Sequence, residues 1–232
     1  MKIFLLLLII FINYSKASAQ DSTLVTIKTG SSIKDVLKTT DIFYYPKFIS
    51  GNAFFRDGAK ATALMNYNRL FDQILFINSN RDTLALTDEK TIKFITLEKD
   101  TFYYDEGYLR LVTSNSVIKL AEKQNWEVAD VRKMGAHNTP STTFAIASIS
   151  TLVDIFGKSH DLILNEDVIL RKVTNYYFGD KYNLFVPASK KNLLSLFPKE
   201  QKSLANYLKE NKVNFTKKND LEKLTQFLEQ SY

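Results

Sequence analysis

Short apolar runs follow one another between residues 24 and 112, and polar turn-forming residues separate them. Arg56-Asp57-Gly58 is a strong hairpin signal, and Glu106-Gly107 turns the chain into the run that begins at Tyr108. Runs of a few residues at this spacing are typical of antiparallel sheets. The pattern predicts a β-meander, with one short helix after Ser31 or Ser32.

The middle of the chain is less regular. Residues 135–143 are polar, contain Pro140 and are predicted to be a linker. Residues 142–156 fit a helical stripe, but their many β-branched side chains favour extended structure, so both alternatives stay open. Further on, residues 168–178 predict a strand, Gly179-Asp180 a turn, and residues 183–186 a strand that returns to the sheet.

The tail changes to a helical pattern, because its apolar residues recur every three or four positions. Ser189 is predicted to cap a first helix, and residues 199–210 form a second. Asn219 or Asp220 is predicted to cap the last one. Helices this short need a packing partner, so we expect them to cover the sheet.

These patterns predict an α+β fold, in which an antiparallel meander sheet is followed by a small C-terminal helical segment. Whether the sheet is curved is left open. The predicted divisions are a signal peptide (1–19), a β-rich region (20–133), a linker with further strands that complete the sheet (134–187), and a helical tail packed on the sheet (188–232).

The first residues have the three-part pattern of a secretory signal peptide. Lys2 is followed by ten apolar residues, 3–12, and then by Ala17-Ser18-Ala19. Ten helical residues span about 15 Å, whereas the core of a bilayer is about 30 Å thick, so a membrane anchor is disfavoured. The sequence therefore predicts cleavage between Ala19 and Gln20 and a mature chain without a transmembrane span.

The chain has no cysteine. A lipid cannot be attached to a new N-terminal cysteine, and disulfides cannot form, although an oxidising compartment permits them. We therefore expect a soluble exported protein, periplasmic or extracellular, that is not a lipoprotein and is stabilised by its core.

Positive charge is concentrated in the tail. The chain carries 31 basic and 25 acidic side chains, and nine lysines and five acids lie in residues 188–232. Lys199, Lys202 and Lys209 are predicted to align along one helix as candidate binding residues. The tail has no arginine, which binds phosphate bidentately, so we expect weak, salt-sensitive anion contact and no specific nucleic-acid site.

Aromatic residues form two clusters, residues 102–104 with Tyr108 and residues 176–178 with Tyr182. Exposed rings stack on sugars or bases, so Tyr104 and Tyr108 are candidate binding residues. Adjacent residues of a strand face opposite sides, however, and the favoured interpretation is that most of these rings belong to the core.

Motifs for common enzyme chemistry are absent from the sequence: there is no G-x-S-x-G, no H-E-x-x-H and no P-loop. The two histidines, His137 and His160, lie in polar, loop-like sequence, and exposed loop residues are favoured over a catalytic or metal-binding pair. A hydrolase that uses two carboxylates stays open, although no acidic pair stands out. We expect no catalytic residue, metal or cofactor.

Several stretches resemble a family of uncharacterised exported proteins from Bacteroidetes-type bacteria. They are residues 51–58 (GNAFFRDG), 64–68 (LMNYN), 82–86 (DTLAL), 133–136 (KMGA), 164–168 (LNEDV), 190–198 (KKNLLSLFP) and 207–212 (YLKENK). The resemblance covers most of the mature chain. It implies a Gram-negative envelope location, and it implies no activity and no functional residue.

Three functions are compatible with the sequence. The first is a non-catalytic envelope module that binds a protein or another envelope component, which an exposed apolar or aromatic patch would support. The second is a carboxylate hydrolase or isomerase, which a pocket with two carboxyl groups would support. The third is weak binding of anionic glycolipid through the basic tail.

Overall fold

The computed structural model describes residues 23–134, 140–142 and 166–231, and most of them belong to one antiparallel sheet. Its strands are β1 (Leu24–Ile27), β2 (Ile49–Phe55), β3 (Lys60–Asn68), β4 (Gln73–Ile77), β5 (Thr83–Ala85), β6 (Ile92–Leu97), β7 (Asp100–Tyr104), β8 (Tyr108–Ser114), β9 (Lys119–Met134), β10 (Pro140–Thr142), β11 (Asp167–Gly179) and β12 (Phe185–Pro187).

The strand order is β1-β11-β9-β8-β7-β6-β2-β3-β4-β5, with β10 added to β9 and β12 added to β11. Each of these pairings is antiparallel. Strands β6 to β9 follow one another as a meander, and β11 then pairs with β9. The predicted α+β fold with an antiparallel meander and a C-terminal helical segment is confirmed.

Two local predictions are wrong. Residues 140–142 of the predicted linker form β10, which pairs with residues 132–134 of β9. Residues 42–45, one of the apolar runs that the sequence pattern assigns to the meander, are not a strand, because the short helix α2 (Thr39–Ile42) enters the run and the Asp41 carboxylate accepts the backbone N–H of Lys38 (3.2 Å). The predicted helix after Ser32 is present as α1 (Ile33–Val36). The open alternative for residues 143–156 lies outside the described residues.

The tail contains three helices, α3 (Lys190–Leu196), α4 (Gln201–Glu210) and α5 (Lys218–Ser231). The predicted cap of α3 is confirmed, since Ser189 Oγ accepts the backbone N–H of Asn192 (3.1 Å). Helix α5 begins before its predicted caps, and Asp220 instead accepts the backbone N–H of Asn214 (2.9 Å).

Apolar side chains join the helices to the sheet. Leu120 of β9 and Phe178 of β11 are fully buried in one cluster with Leu204 of α4 and with Leu224 and Leu228 of α5. The helices therefore cover the sheet where β8, β9 and β11 meet, which removes their apolar faces from water. No helix in the described ranges is long and apolar enough to cross a membrane.

Candidate functional site

The two candidate tyrosines occupy the interior side of the sheet. Tyr108 is 1% exposed, and its ring lies 6.2 Å from the ring of Tyr67 and 5.2 Å from the half-buried ring of Tyr104. Burial raises the pKa of Tyr108, so its hydroxyl is neutral. The alternative that Tyr108 is an exposed stacking ring is wrong, and the core interpretation holds for it.

The candidate lysines are only partly brought together. Lys199 and Lys202 line a shallow groove of about 550 Å³, which Glu200 and Glu210 also line, whereas Lys209 is not among its lining residues. Lys199 precedes α4 rather than belonging to it. The groove therefore has mixed charge, which disfavours an anion site.

A buried ion cluster crosses strands β7, β8 and β9. Arg110 Nη1 lies 2.8 Å from Asp100 Oδ1, and Arg110 Nη2 lies 2.5 Å from Glu122 Oε1. Tyr45 Oη donates to Asp100 Oδ2 (2.5 Å), and Gln124 Nε2 donates to Glu122 Oε1 (3.2 Å). Burial alone would lower the pKa of Arg110, but its bonds to the two carboxylates outweigh burial and raise it.

This cluster does not have the form of a two-carboxylate active site. Asp100 and Glu122 both bond to the same arginine, and they line neither the groove beside Lys199 and Lys202 nor the cleft of about 520 Å³ along β11. Two carboxylates that share one partly buried arginine form a structural ion cluster. His137 and His160 lie outside the described residues.

A five-residue turn, residues 180–184, joins β11 to β12, and the Asp180 side chain holds it in shape. Asp180 Oδ1 accepts the backbone N–H of Tyr182 (2.8 Å) and of Leu184 (2.9 Å). The Asp180 N–H donates to the Leu184 carbonyl (3.1 Å), and the Asn183 N–H donates to the Asp180 carbonyl (3.2 Å). Asn183 is left-handed, with φ 65°, which asparagine tolerates better than most residues.

The 180–184 turn presents two large apolar side chains to solvent. Tyr182 is 70% and Leu184 is 67% exposed, the highest values among the large apolar side chains of the described ranges. Lys181 Nζ lies 5.0 Å from the ring centroid of Tyr182. Directly after the turn, the buried ring of Phe185 packs against Tyr103 (5.3 Å). The exposed Tyr182 and Leu184 side chains therefore project from a turn that the packing of Phe185 anchors to the sheet.

A second turn, residues 78–82, has the same geometry and joins β4 to β5. Asn78 Oδ1 accepts the backbone N–H of Asn80 (2.9 Å) and of Asp82 (2.8 Å). The Asn78 N–H donates to the Asp82 carbonyl (3.0 Å), the Arg81 N–H donates to the Asn78 carbonyl (3.1 Å), and Arg81 is left-handed with φ 69°. Each contact has its counterpart in the 180–184 turn.

The tips of the two turns differ in chemistry. Asn80 and Asp82 occupy the positions that Tyr182 and Leu184 occupy, and each turn leads into a strand of three residues. The geometry of the turn therefore requires no apolar side chain at either position. Because Tyr182 and Leu184 are exposed without such a structural need, the 180–184 turn is the candidate functional site.

Comparison with models of protein families, with curated proteins and with solved structures finds no match to the chain. The candidate site is therefore defined by the geometry of the described residues.

Sequence reasoning missed this site for an identifiable reason. The sequence pattern predicts a returning strand from residue 183, whereas β12 begins at Phe185, so Leu184 belongs to the turn. Tyr182 also belongs by sequence to the aromatic cluster with residues 176–178, for which the core interpretation is favoured. The available signal was Asp180 directly after a strand, since Asp and Asn side chains bond to the N–H groups that follow and extend a turn.

Proposed function

We propose that the protein is a non-catalytic binding module that holds a partner protein through the 180–184 turn. The observation that supports this is the exposure of Tyr182 and Leu184 on a turn whose counterpart folds without apolar residues. Tyrosine is enriched in the hot spots of protein interfaces. Burying a leucine side chain contributes about 1.5–3 kcal/mol.

The hydrogen bonds of the turn favour binding, because they order the backbone before a partner arrives. Asp180 fixes the positions of Tyr182 and Leu184 through their own N–H groups. Ordering a loop on association lowers affinity, and a loop that is already ordered avoids most of that cost.

A protein suits this site better than a lipid bilayer does. A whole myristoyl chain gives only marginal, reversible membrane binding, and one tyrosine with one leucine buries less apolar surface than that chain. Two side chains are enough, however, to fill a pocket at the centre of a protein interface. Lys181 beside Tyr182 suits a pocket with an acidic rim.

The proposal includes export. The signal-like residues 1–19 and the resemblance to exported envelope proteins support a location in the periplasm or outside the cell. Mass spectrometry of the exported protein should find a chain that begins at Gln20. A chain that retains residues 1–19 would contradict export by signal cleavage.

Affinity capture from envelope extracts tests the binding function. The variant Tyr182→Asn/Leu184→Asn removes both apolar side chains and pairs the Asp180 carboxylate with an amide, as the Asn78 amide pairs with the Asp82 carboxylate (3.1 Å) in the other turn. The control Leu64→Asn/Leu84→Asn removes two other exposed leucines and introduces the same side chains. A protein captured by the parent chain and by the control, but not by the turn variant, supports the proposal. Equal capture of that protein by all three chains contradicts the proposal. So does a parent chain that binds vesicles of anionic lipid but captures no protein.

A further inference from the structure

Strand β11 is paired along its whole length on one side, but its other edge is interrupted. On one side β9 pairs with residues 167–179. On the opposite side β1 pairs with residues 168–171 and β12 pairs with residues 177–179. Within the described ranges no strand pairs with residues 173–175 on that side, and we call this stretch of edge the β11 gap.

Thr174 is the residue whose backbone groups face the β11 gap. Successive residues of an antiparallel strand direct their N–H and C=O groups to alternate neighbours. On the interrupted side the Lys172 N–H donates to the Thr23 carbonyl (3.1 Å), and the Ala188 N–H donates to the Tyr176 carbonyl (2.8 Å). The alternation therefore directs the N–H and C=O of Thr174 into the gap, where one residue of an added strand can bond to both.

The β11 gap opens into the cleft of about 520 Å³. Besides β11, the lining includes Pro187 and Ala188 at the end of β12, and Phe215 and Thr216 from the link between α4 and α5. The volume is within the range of ligand-binding clefts, and one wall of the cleft is a strand edge. A cleft with these walls suits a short extended peptide that adds to the sheet.

One cation of the cleft has no ion-pair partner among the described residues. The cleft is lined by three charged side chains, and two of them, Arg171 and Glu127, pair with each other (3.5 Å). The third, Lys172, forms no ion pair with any carboxylate of the described ranges. Burial and the nearby Arg69 lower the pKa of Lys172, Asp41 opposes this shift, and a bound anion would oppose it further. The cleft therefore favours a negatively charged ligand.

The position of Lys172 decides which way an added peptide runs. The pairings of the described strands are antiparallel, and an antiparallel peptide runs from the Tyr176 end of the gap towards Lys172. Thr23 occupies the next position along the edge, so the peptide must end there and its carboxyl terminus lies at the cation. A parallel peptide would bring an ammonium group to the same place, where the two charges repel.

We propose that the β11 gap binds the last three residues of a partner protein as an added antiparallel strand. The penultimate residue of the partner pairs with Thr174, and the terminal carboxylate forms an ion pair with Lys172. The residues that precede this segment leave the sheet edge at Ala188. The site is separate from the 180–184 turn, because no residue of that turn lines the cleft.

A pair of synthetic peptides tests the ion pair. Acetyl-Ser-Thr-Val-Thr-Val, with a free carboxylate or with a carboxamide end, is titrated into the purified protein, and the Thr174 amide resonance reports binding. We expect the carboxylate peptide to bind the parent chain about tenfold more tightly than the carboxamide peptide. In Lys172→Gln the two peptides should bind within about twofold of each other. The control Lys209→Gln removes an equal charge outside the cleft and should keep the tenfold difference.

N-methylated peptides test the strand pairing. A methyl group on the penultimate amide nitrogen removes the N–H that donates to the Thr174 carbonyl. A methyl group on the last amide nitrogen replaces an N–H that faces away from β11. We expect the first peptide to bind about tenfold more weakly than the second.

Hydrogen exchange shows whether the edge is free to receive a peptide. Without peptide, the Thr174 amide should be at least about tenfold less protected than the Val173 amide, which faces β9, and the bound carboxylate peptide should protect it. A Thr174 amide that is already protected in the protein alone would overturn the proposal, because the gap is then filled by the chain itself.

Three further results would overturn the proposal. They are the absence of saturable binding, equal binding of the carboxylate and carboxamide peptides to the parent chain, and equal effects of the two methyl groups. The Tyr182→Asn/Leu184→Asn variant should bind the carboxylate peptide within about twofold of the parent, since the turn lies outside the cleft. Failure of the β11 gap as a peptide site is therefore distinguishable from failure of the 180–184 turn as a binding site.

Discussion

The 78–82 turn and the 180–184 turn share a backbone and differ in what they display. In both, an Asn or Asp side chain accepts two N–H groups, and the fourth residue is left-handed. One tip shows solvent only polar groups, and the other shows Tyr182 and Leu184 at 70% and 67% exposure. The shared hydrogen bonds indicate that the side chain of the first residue and the left-handed fourth residue set the shape of this turn. The side chains at the third and fifth positions differ between the two turns while the backbone hydrogen bonds stay the same, so these positions can carry binding residues.

The largest loss of stability is expected at the ion cluster around Arg110, away from both turns, and the losses expected for the turn variants are compared with it. Arg110→Met leaves Asp100 and Glu122 buried without their cation, which costs about 3–5 kcal/mol of unfolding free energy. Urea denaturation measures this loss. Adding Asp100→Asn and Glu122→Gln should restore part of it, since the uncompensated charges are then gone. A loss no larger than that of the turn variants below would contradict the structural role of this ion cluster.

The shared architecture predicts equal costs for matched changes in the two turns. Asn78→Ala and Asp180→Ala each remove two hydrogen bonds from a side chain to the backbone, so each should cost about 1–2 kcal/mol in urea denaturation. Only Asp180→Ala should weaken partner binding. Costs that differ by more than about 1 kcal/mol would show that the two turns are not equivalent.

The left-handed residue of each turn has a smaller expected effect on stability. Arginine at φ 69° is strained more than asparagine at φ 65°, because asparagine tolerates this conformation better. Arg81→Gly should therefore stabilise the protein by about 0.5 kcal/mol, after the greater freedom of glycine in the unfolded chain is counted. Asn183→Gly should be near neutral. Thermal unfolding of both variants measures the difference, and a larger gain for Asn183→Gly would contradict this ranking.

Exchanging the tip should have the smallest effect on stability. Tyr182→Asn/Leu184→Asn keeps one carboxylate and one amide at the ends of the turn, as in the 78–82 turn, so the unfolding free energy should stay within about 0.5 kcal/mol of the parent. Urea denaturation checks this. A loss of about 2 kcal/mol or more would mean that the two side chains stabilise the fold, and that their exposure is not a sign of binding.

Much of the fold could be predicted because its signals are local. The Arg56-Asp57-Gly58 turn, the Ser189 cap and the helical stripe of α5 each depend on residues that are close in sequence. The pairing of Arg110 with Asp100 and Glu122 could not be predicted in this way, because it depends on the register of three strands.

The candidate site could not be predicted because the sequence pattern places the start of the returning strand two residues too early, at residue 183 instead of Phe185. Whether Leu184 lies in a strand or in a turn decides whether it faces other residues or solvent. The Asp180 side chain settles that by bonding to the Leu184 N–H. Likewise, the apolar pattern does not distinguish a buried Tyr108 from an exposed Tyr182, since both follow aromatic clusters.

Binding of the purified partner to the turn variant tests the central claim most directly. Titration calorimetry compares the parent chain with Tyr182→Asn/Leu184→Asn and with the control Leu64→Asn/Leu84→Asn. The account predicts that the turn variant binds more than about 30-fold more weakly, the factor that corresponds to one hot-spot residue of about 2 kcal/mol. The control should stay within about threefold of the parent. A turn variant that binds as tightly as the control would contradict the assignment of the 180–184 turn as the binding site.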